Sequence, residues 1–99
     1  MIVYHGTTPE TVSAIKRDGL VPGTHVTPHR HLAADYAYMR ATELGADYAV
    51  VMKLDVPDAA LMEAESWWWA HDQMQLPAGY PPSCIESIEE IHSRPSSVG

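Results

Sequence analysis

Cysteine is almost missing from this 99-residue chain: Cys84 stands alone. A single thiol excludes an internal disulfide and any zinc knuckle built on cysteines, and leaves Cys84 its ordinary role as a small buried apolar residue. Long hydrophobic runs are missing too. None approaches the roughly 18 apolar residues that a membrane-crossing helix needs, so no membrane association is expected. The opening Met1-Ile2-Val3-Tyr4 carries no basic leader followed by an apolar segment, which predicts a cytoplasmic protein. Basic residues are few: six stand against thirteen acids, for a formal charge of −7. They are scattered as Lys16-Arg17, Arg30, Arg40, Lys53 and Arg94, without forming a stripe. Such a chain repels a phosphate backbone on average, so no nucleic-acid partner is expected. Internal repeats and low-complexity tracts are absent.

What is present is the composition of a folded domain, 45% hydrophobic and 19% charged. A chain of this length supports one compact unit that buries about two-thirds of its unfolded surface. We assign residues 1–92 to that unit and 93–99 to a polar tail. Ile2-Val3-Tyr4-His5 reads as a short strand stopped by Gly6. Thr8 then offers a helix cap with Pro9 in the first turn, and Asp18-Gly19 stops the helix. Thr24-His25-Val26-Thr27 reads as a second short strand. Thr27 and Pro28 repeat the start signal, and Leu32, Ala33, Ala37, Ala41 and Leu44 recur at helical spacing up to Gly45. Residues 47–56, with Ala49-Val50-Val51-Met52 continuous and apolar, predict a central strand buried on both faces. Residues 58–65 read as one or two helical turns, and Leu76 to Pro82 as a turn-rich loop. Ser83 to His92 predicts a closing strand. The fold class expected is α+β, a small split sheet with two main helices against it.

Four places carry candidate chemistry. A histidine at a strand end can hydrogen-bond a sugar hydroxyl, and a following glycine lets a flat ligand amide reach the backbone; His5-Gly6-Thr7 offers both. The plainer account makes His5 a strand-end residue satisfied by backbone and Gly6 a turn residue. On the second helix Tyr36 is either a ligand-facing ring or an amphipathic residue packed against the sheet. Glu86, Glu89 and Glu90 lie in the closing strand, where alternation sends Glu86 and Glu90 to one face and Glu89 to the other; a solvated acidic edge is the alternative. Trp67-Trp68-Trp69 cannot all be buried on one face, so this run is either core or lid packing with one ring near the surface, or a docking patch for a protein partner. His25, His29 and His31 are close in sequence, but a strand-to-helix boundary separates the first from the others, and no metal is expected.

Taken in order, the His5-Gly6-Thr7 strand, the helix ending Asp18-Gly19-Leu20, the Thr27-Pro28 start of a helix bearing Ala34-Asp35-Tyr36-Ala37, the buried strand and the Pro81-Pro82 closing segment resemble the ADP-ribosyltransferase superfamily. The resemblance covers most of residues 2–92, while residues 56–80 match nothing in it. It implies NAD as substrate, bound by His5, Gly6 and Thr7, with Tyr36 stacked on the nicotinamide, where stacking and cation–π attraction combine. It also implies a late acid, Glu86 or else Glu89, that stabilises positive charge developing on the ribose as nicotinamide leaves and ADP-ribose passes to an acceptor, a protein being expected. Two other readings stay open: a protein of this fold that binds or inhibits a partner through Trp67–Trp69 without turnover, and an NAD hydrolase with water as acceptor. The RNA 2′-phosphotransferases share His-Gly-Thr and the Pro-Pro segment, but the acidic charge and the lack of an arginine beside His5-Gly6-Thr7 disfavour an RNA phosphate here.

Overall fold

A computed structural model describes residues 1–63 and 73–92. Trp67, Trp68, Trp69 and the 93–99 tail lie outside the described residues. The described residues form an α+β fold with two helices and two antiparallel sheets. Strand β1 (Ile2–Thr7) leads into helix α1 (Pro9–Asp18), short strand β2 (Thr24–Val26), helix α2 (Arg30–Leu44) and strand β3 (Tyr48–Asp55). Strands β4 (Met62–Glu63), β5 (Met74–Leu76) and β6 (Ile85–His92) follow, with single 3-10 turns at Asp58–Ala60 and Pro82–Cys84. One sheet runs β1-β3-β6 and the other β2-β5-β4.

The expected central strand is present. Tyr48–Asp55 sits between β1 and β6, and Val50, Val51 and Met52 are all buried. A run with no polar residue suits a strand covered on both faces. On one face, Val3, Val50, Met52 and Leu54 join Val12 and Ile15 of α1, Val26 of β2, Leu76 of β5 and Cys84 in the main core. Full burial of a side chain such as Met52 contributes about 1.5–3 kcal/mol. On the other face α2 buries alanines, with Ala37 and Ala41 packed on Ala49 and with Tyr38, Ala46 and Ile91 beside them. Gly6 makes this close approach possible, because a Cβ there would overlap the Ala33 carbonyl oxygen and lie 3.0 Å from the Ala37 Cβ.

Helix α1 begins at Pro9 as the sequence predicts, although the Thr8 side chain makes no capping bond. Helix α2 starts later than expected, at Arg30. Thr27 is committed to β-structure: its backbone exchanges two hydrogen bonds with Tyr4, at 2.7 and 3.0 Å, and Pro28 disfavours a helical conformation at the residue before it. Thr27 still helps the entry, since its Oγ1 accepts the His29 N–H at 3.2 Å. Leu44, expected on the buried stripe, is 58% exposed. In place of the helical turns expected over 58–65, Asp58–Ala60 is one 3-10 turn and Met62–Glu63 is β4, and Met74–Leu76, whose last residue the turn signals assign to a loop, is a strand. Its three residues are too short to show alternation against the turn signals that follow.

An isolated pairing of Tyr4 with Thr27 links β1 to the residue after β2, and a second joins Leu20 to Tyr80. At the second, Gly19 and Gly79 are required twice over. Both have positive φ, 88° and 69°, and a Cβ on either would run into the opposite backbone. Among the described residues no helix is long and apolar enough to cross a membrane.

Candidate functional site

A cleft of about 310 Å³ opens where β1, α1, β2 and α2 meet. His5 of β1 and Tyr36 of α2 both line it, although they are far apart along the chain. Helix α1 supplies Thr11, Ala14, Ile15 and Asp18, and the connection from Gly19 into β2 supplies the rest of the wall up to His25. The helices reach one cleft because they flank opposite faces of the sheet at its β1 side. Tyr36 is 37% exposed, so its ring is not locked in the core.

The position of His5 is chemically specific. Its Nδ1 lies 2.8 Å from the His25 backbone oxygen, an atom that can only accept, so Nδ1–H is the donor. In the neutral ring this leaves Nε2 with a free lone pair, an acceptor suited to a ligand hydroxyl. Burial pushes the His5 pKa below the ordinary histidine value, the bond to the His25 carbonyl opposes this, and the neighbouring His25 ring adds a smaller push downward. The imidazole is therefore mainly neutral at pH 7.

The other candidate residues lie elsewhere. Gly6 and Thr7 are buried and do not line the cleft; Gly6 is used by the fold for the crossing of α2. The registers differ for the two glutamates of β6. Glu89 stands opposite Val51, which in turn faces Gly6, while Glu86 is the residue passed over where the register slips between Lys53 and Leu54. The slip interrupts the alternation on which the placement of Glu86 depended. Glu86 is exposed and outside the cleft lining. Glu89 is also exposed, and its Oε1 accepts from the Arg30 guanidinium, including an Nε contact of 3.1 Å. That carboxylate holds the Arg30 pKa above its usual value. Neither glutamate joins His5 and Tyr36.

Sequence reading did not single out Asp18 or His25 for this cleft. The first is the carboxylate that lines it among the described residues, and the second orients His5 through its backbone. In the sequence Asp18 signals only the end of a helix, and no spacing rule brings the end of α1 opposite the strand before it. The three histidines at 25, 29 and 31 do not assemble: among the described residues no group of three or more His, Cys, Asp or Glu could hold a metal ion. The rings of His29 and His31 lie 5.8 Å apart at the start of α2. Compared with known proteins, the chain matches no family model and no curated protein.

Proposed function

We propose that this protein binds NAD at the cleft between α1 and α2 and acts as an ADP-ribosyltransferase-like enzyme that releases nicotinamide. The observation that carries the reading is the meeting of His5 and Tyr36 on one concave surface. The His5 Nε2 accepts a hydrogen bond from a ribose hydroxyl, with its tautomer set by the His25 carbonyl. Tyr36 offers its ring to the cationic pyridinium, an arrangement that combines stacking with cation–π attraction. A carboxylate hydrogen-bonded to the sugar then stabilises positive charge as the bond to nicotinamide breaks. Asp18 is the acid at the cleft wall, while Glu86 and Glu89 on β6, the acids the family resemblance implies, lie outside the lining. The acceptor of ADP-ribose is a protein side chain, or water in a hydrolase.

Nicotinamide release from NAD tests the reading directly. His5→Ala and Tyr36→Ala are each expected to reduce it by about tenfold or more, the loss of one well-placed interaction; unchanged release in both removes the assignment. Comparing Glu86→Gln, Glu89→Gln and Asp18→Asn then identifies the sugar-facing acid. A second reading is favoured by the position of Glu86 and Glu89 outside the cleft lining: a binding protein that holds NAD without turnover. It predicts that NAD raises Tm while no nicotinamide appears. The partner surface suggested by Trp67, Trp68 and Trp69 falls outside the described residues.

A further inference from the structure

The two outer edges of the β1-β3-β6 sheet are finished differently. The edge at β1 is covered by the chain itself, since Tyr4 exchanges two backbone hydrogen bonds with Thr27 and the His5 ring donates to the His25 carbonyl. The edge at β6 is open. Strand β6 pairs with β3 along one side, and among the described residues no segment pairs with the other. Alternate residues of an edge strand aim their N–H and C=O groups away from the sheet, so β6 offers a row of backbone donors and acceptors to an incoming strand. Edges are commonly blunted by shortness or proline; β6 runs for eight residues and contains no proline. Glu86, Ser87, Ile88, Glu89 and Glu90 are all exposed.

The register fixes what an added strand would meet. Ile88 and Glu90 stand opposite Met52 and Val50 and share their side of the sheet, toward α1. Glu89 turns to the α2 side, where Arg30 already holds it. Strand β6 has no lysine or arginine of its own, and among the described residues Glu86 and Glu90 have no cationic partner. A second copy of this chain is a poor occupant. Symmetric antiparallel pairing keeps each residue on its own side, so it centres on a residue: centred on Ile88 it sets Glu86 against Glu90, and centred on Glu89 it sets that carboxylate against its own copy. Like charges directly opposite destabilise a strand pair, and opposite charges stabilise it. The same carboxylates therefore reject a copy and admit a basic segment.

We propose that the open edge of β6 docks an extended, lysine- or arginine-bearing segment of another protein, which adds as a fourth strand to this sheet. Backbone hydrogen bonds supply the affinity. A basic side chain on the α1 side of the added strand meets Glu90 and lays its aliphatic stem beside Ile88. The formal charge of −7 steers such a segment inward. No β6 residue lines the cleft, so this surface stands or falls independently of NAD.

Calorimetric titration of the full chain with a short capped peptide of alternating lysine and valine tests it. Two control peptides of the same length are alternating glutamate and valine, and the lysine peptide with every backbone nitrogen methylated. The lysine peptide is expected to bind and each control to bind about tenfold or more weakly, because one control reverses the charge and the other keeps the charge but cannot donate to the ladder. A methylated peptide that binds as well shows attraction to charge alone and overturns the proposal, as does a lysine peptide that does not bind. Glu90→Lys is expected to weaken the lysine peptide by about threefold or more, since it turns opposed charges into like ones; unchanged affinity overturns the placement. Amide hydrogen exchange is expected to slow in β6 when the peptide is added, and slowing only in other strands overturns the proposal. A free chain that dimerises with protection of the β6 amides gives the edge to a second copy and overturns it too.

Discussion

The two faces of the β1-β3-β6 sheet are packed in opposite styles. Toward α1 the strands present Val3, Val50, Met52 and Leu54, large side chains that hold the helix off and meet Val12 and Ile15. Toward α2 they present Gly6 and Ala49 to a stripe of alanines, so the helix backbone nearly touches the strand. The cleft belongs to neither face alone: it lies at the β1 side, with Ile15 of the main core and Tyr36 of α2 both in its lining. One face of the sheet thus holds its helix at the distance set by large interlocking side chains, and the other at the short range that glycine and alanine allow.

The comparison breaks most severely at Gly6. Gly6→Ala places a carbon against the Ala33 carbonyl oxygen and should destabilise by about 3 kcal/mol or more, since backbone cannot yield as a side-chain tip does. Chemical denaturation measures it, and a loss under about 1 kcal/mol would show that α2 is free to shift. On the opposite face Ile15→Val, which removes one carbon from a buried residue beside the cleft, should cost only about 0.5–1.5 kcal/mol. A larger loss would mean that the cleft side is packed as tightly as the α2 side. The smallest effect belongs to Arg30 and Glu89, whose side chains are 45% and 54% exposed. A double-mutant cycle with alanine should return a coupling below about 1 kcal/mol that shrinks in salt. A coupling well above that would make the ion pair, and not the alanine stripe, the principal clamp on α2.

Much of the fold was legible before any coordinates. Pro9 after Thr8, Gly45 after the alanine-rich run, and the apolar 49–52 segment each signal locally, through restricted φ, left-handed termination and continuous burial. The misplaced features depended on partners. Thr27 looks like a helix cap until Tyr4 claims its backbone, β5 is a strand because β2 and β4 flank it, and Glu86 loses its place in the alternation through a slip set against β3. Of the candidate site, His5 and Tyr36 were visible as residue types. The contribution of the α1 flank, Thr11, Ala14 and Asp18, was not, because which distant element a helix face meets is no property of the helix's own sequence.

Sequence alone determined the net negative charge, the start of α1 at Pro9 and the helix stops at Gly19 and Gly45, since these follow from formal charge and backbone sterics in each stretch. Tertiary structure decided which of those elements touch. It brought a histidine and a tyrosine to one cleft, tied Glu89 to Arg30, and placed Asp18 at the cleft wall. Contacts between distant segments arise from the packing of whole faces, and no local stretch of chain encodes the face it will meet.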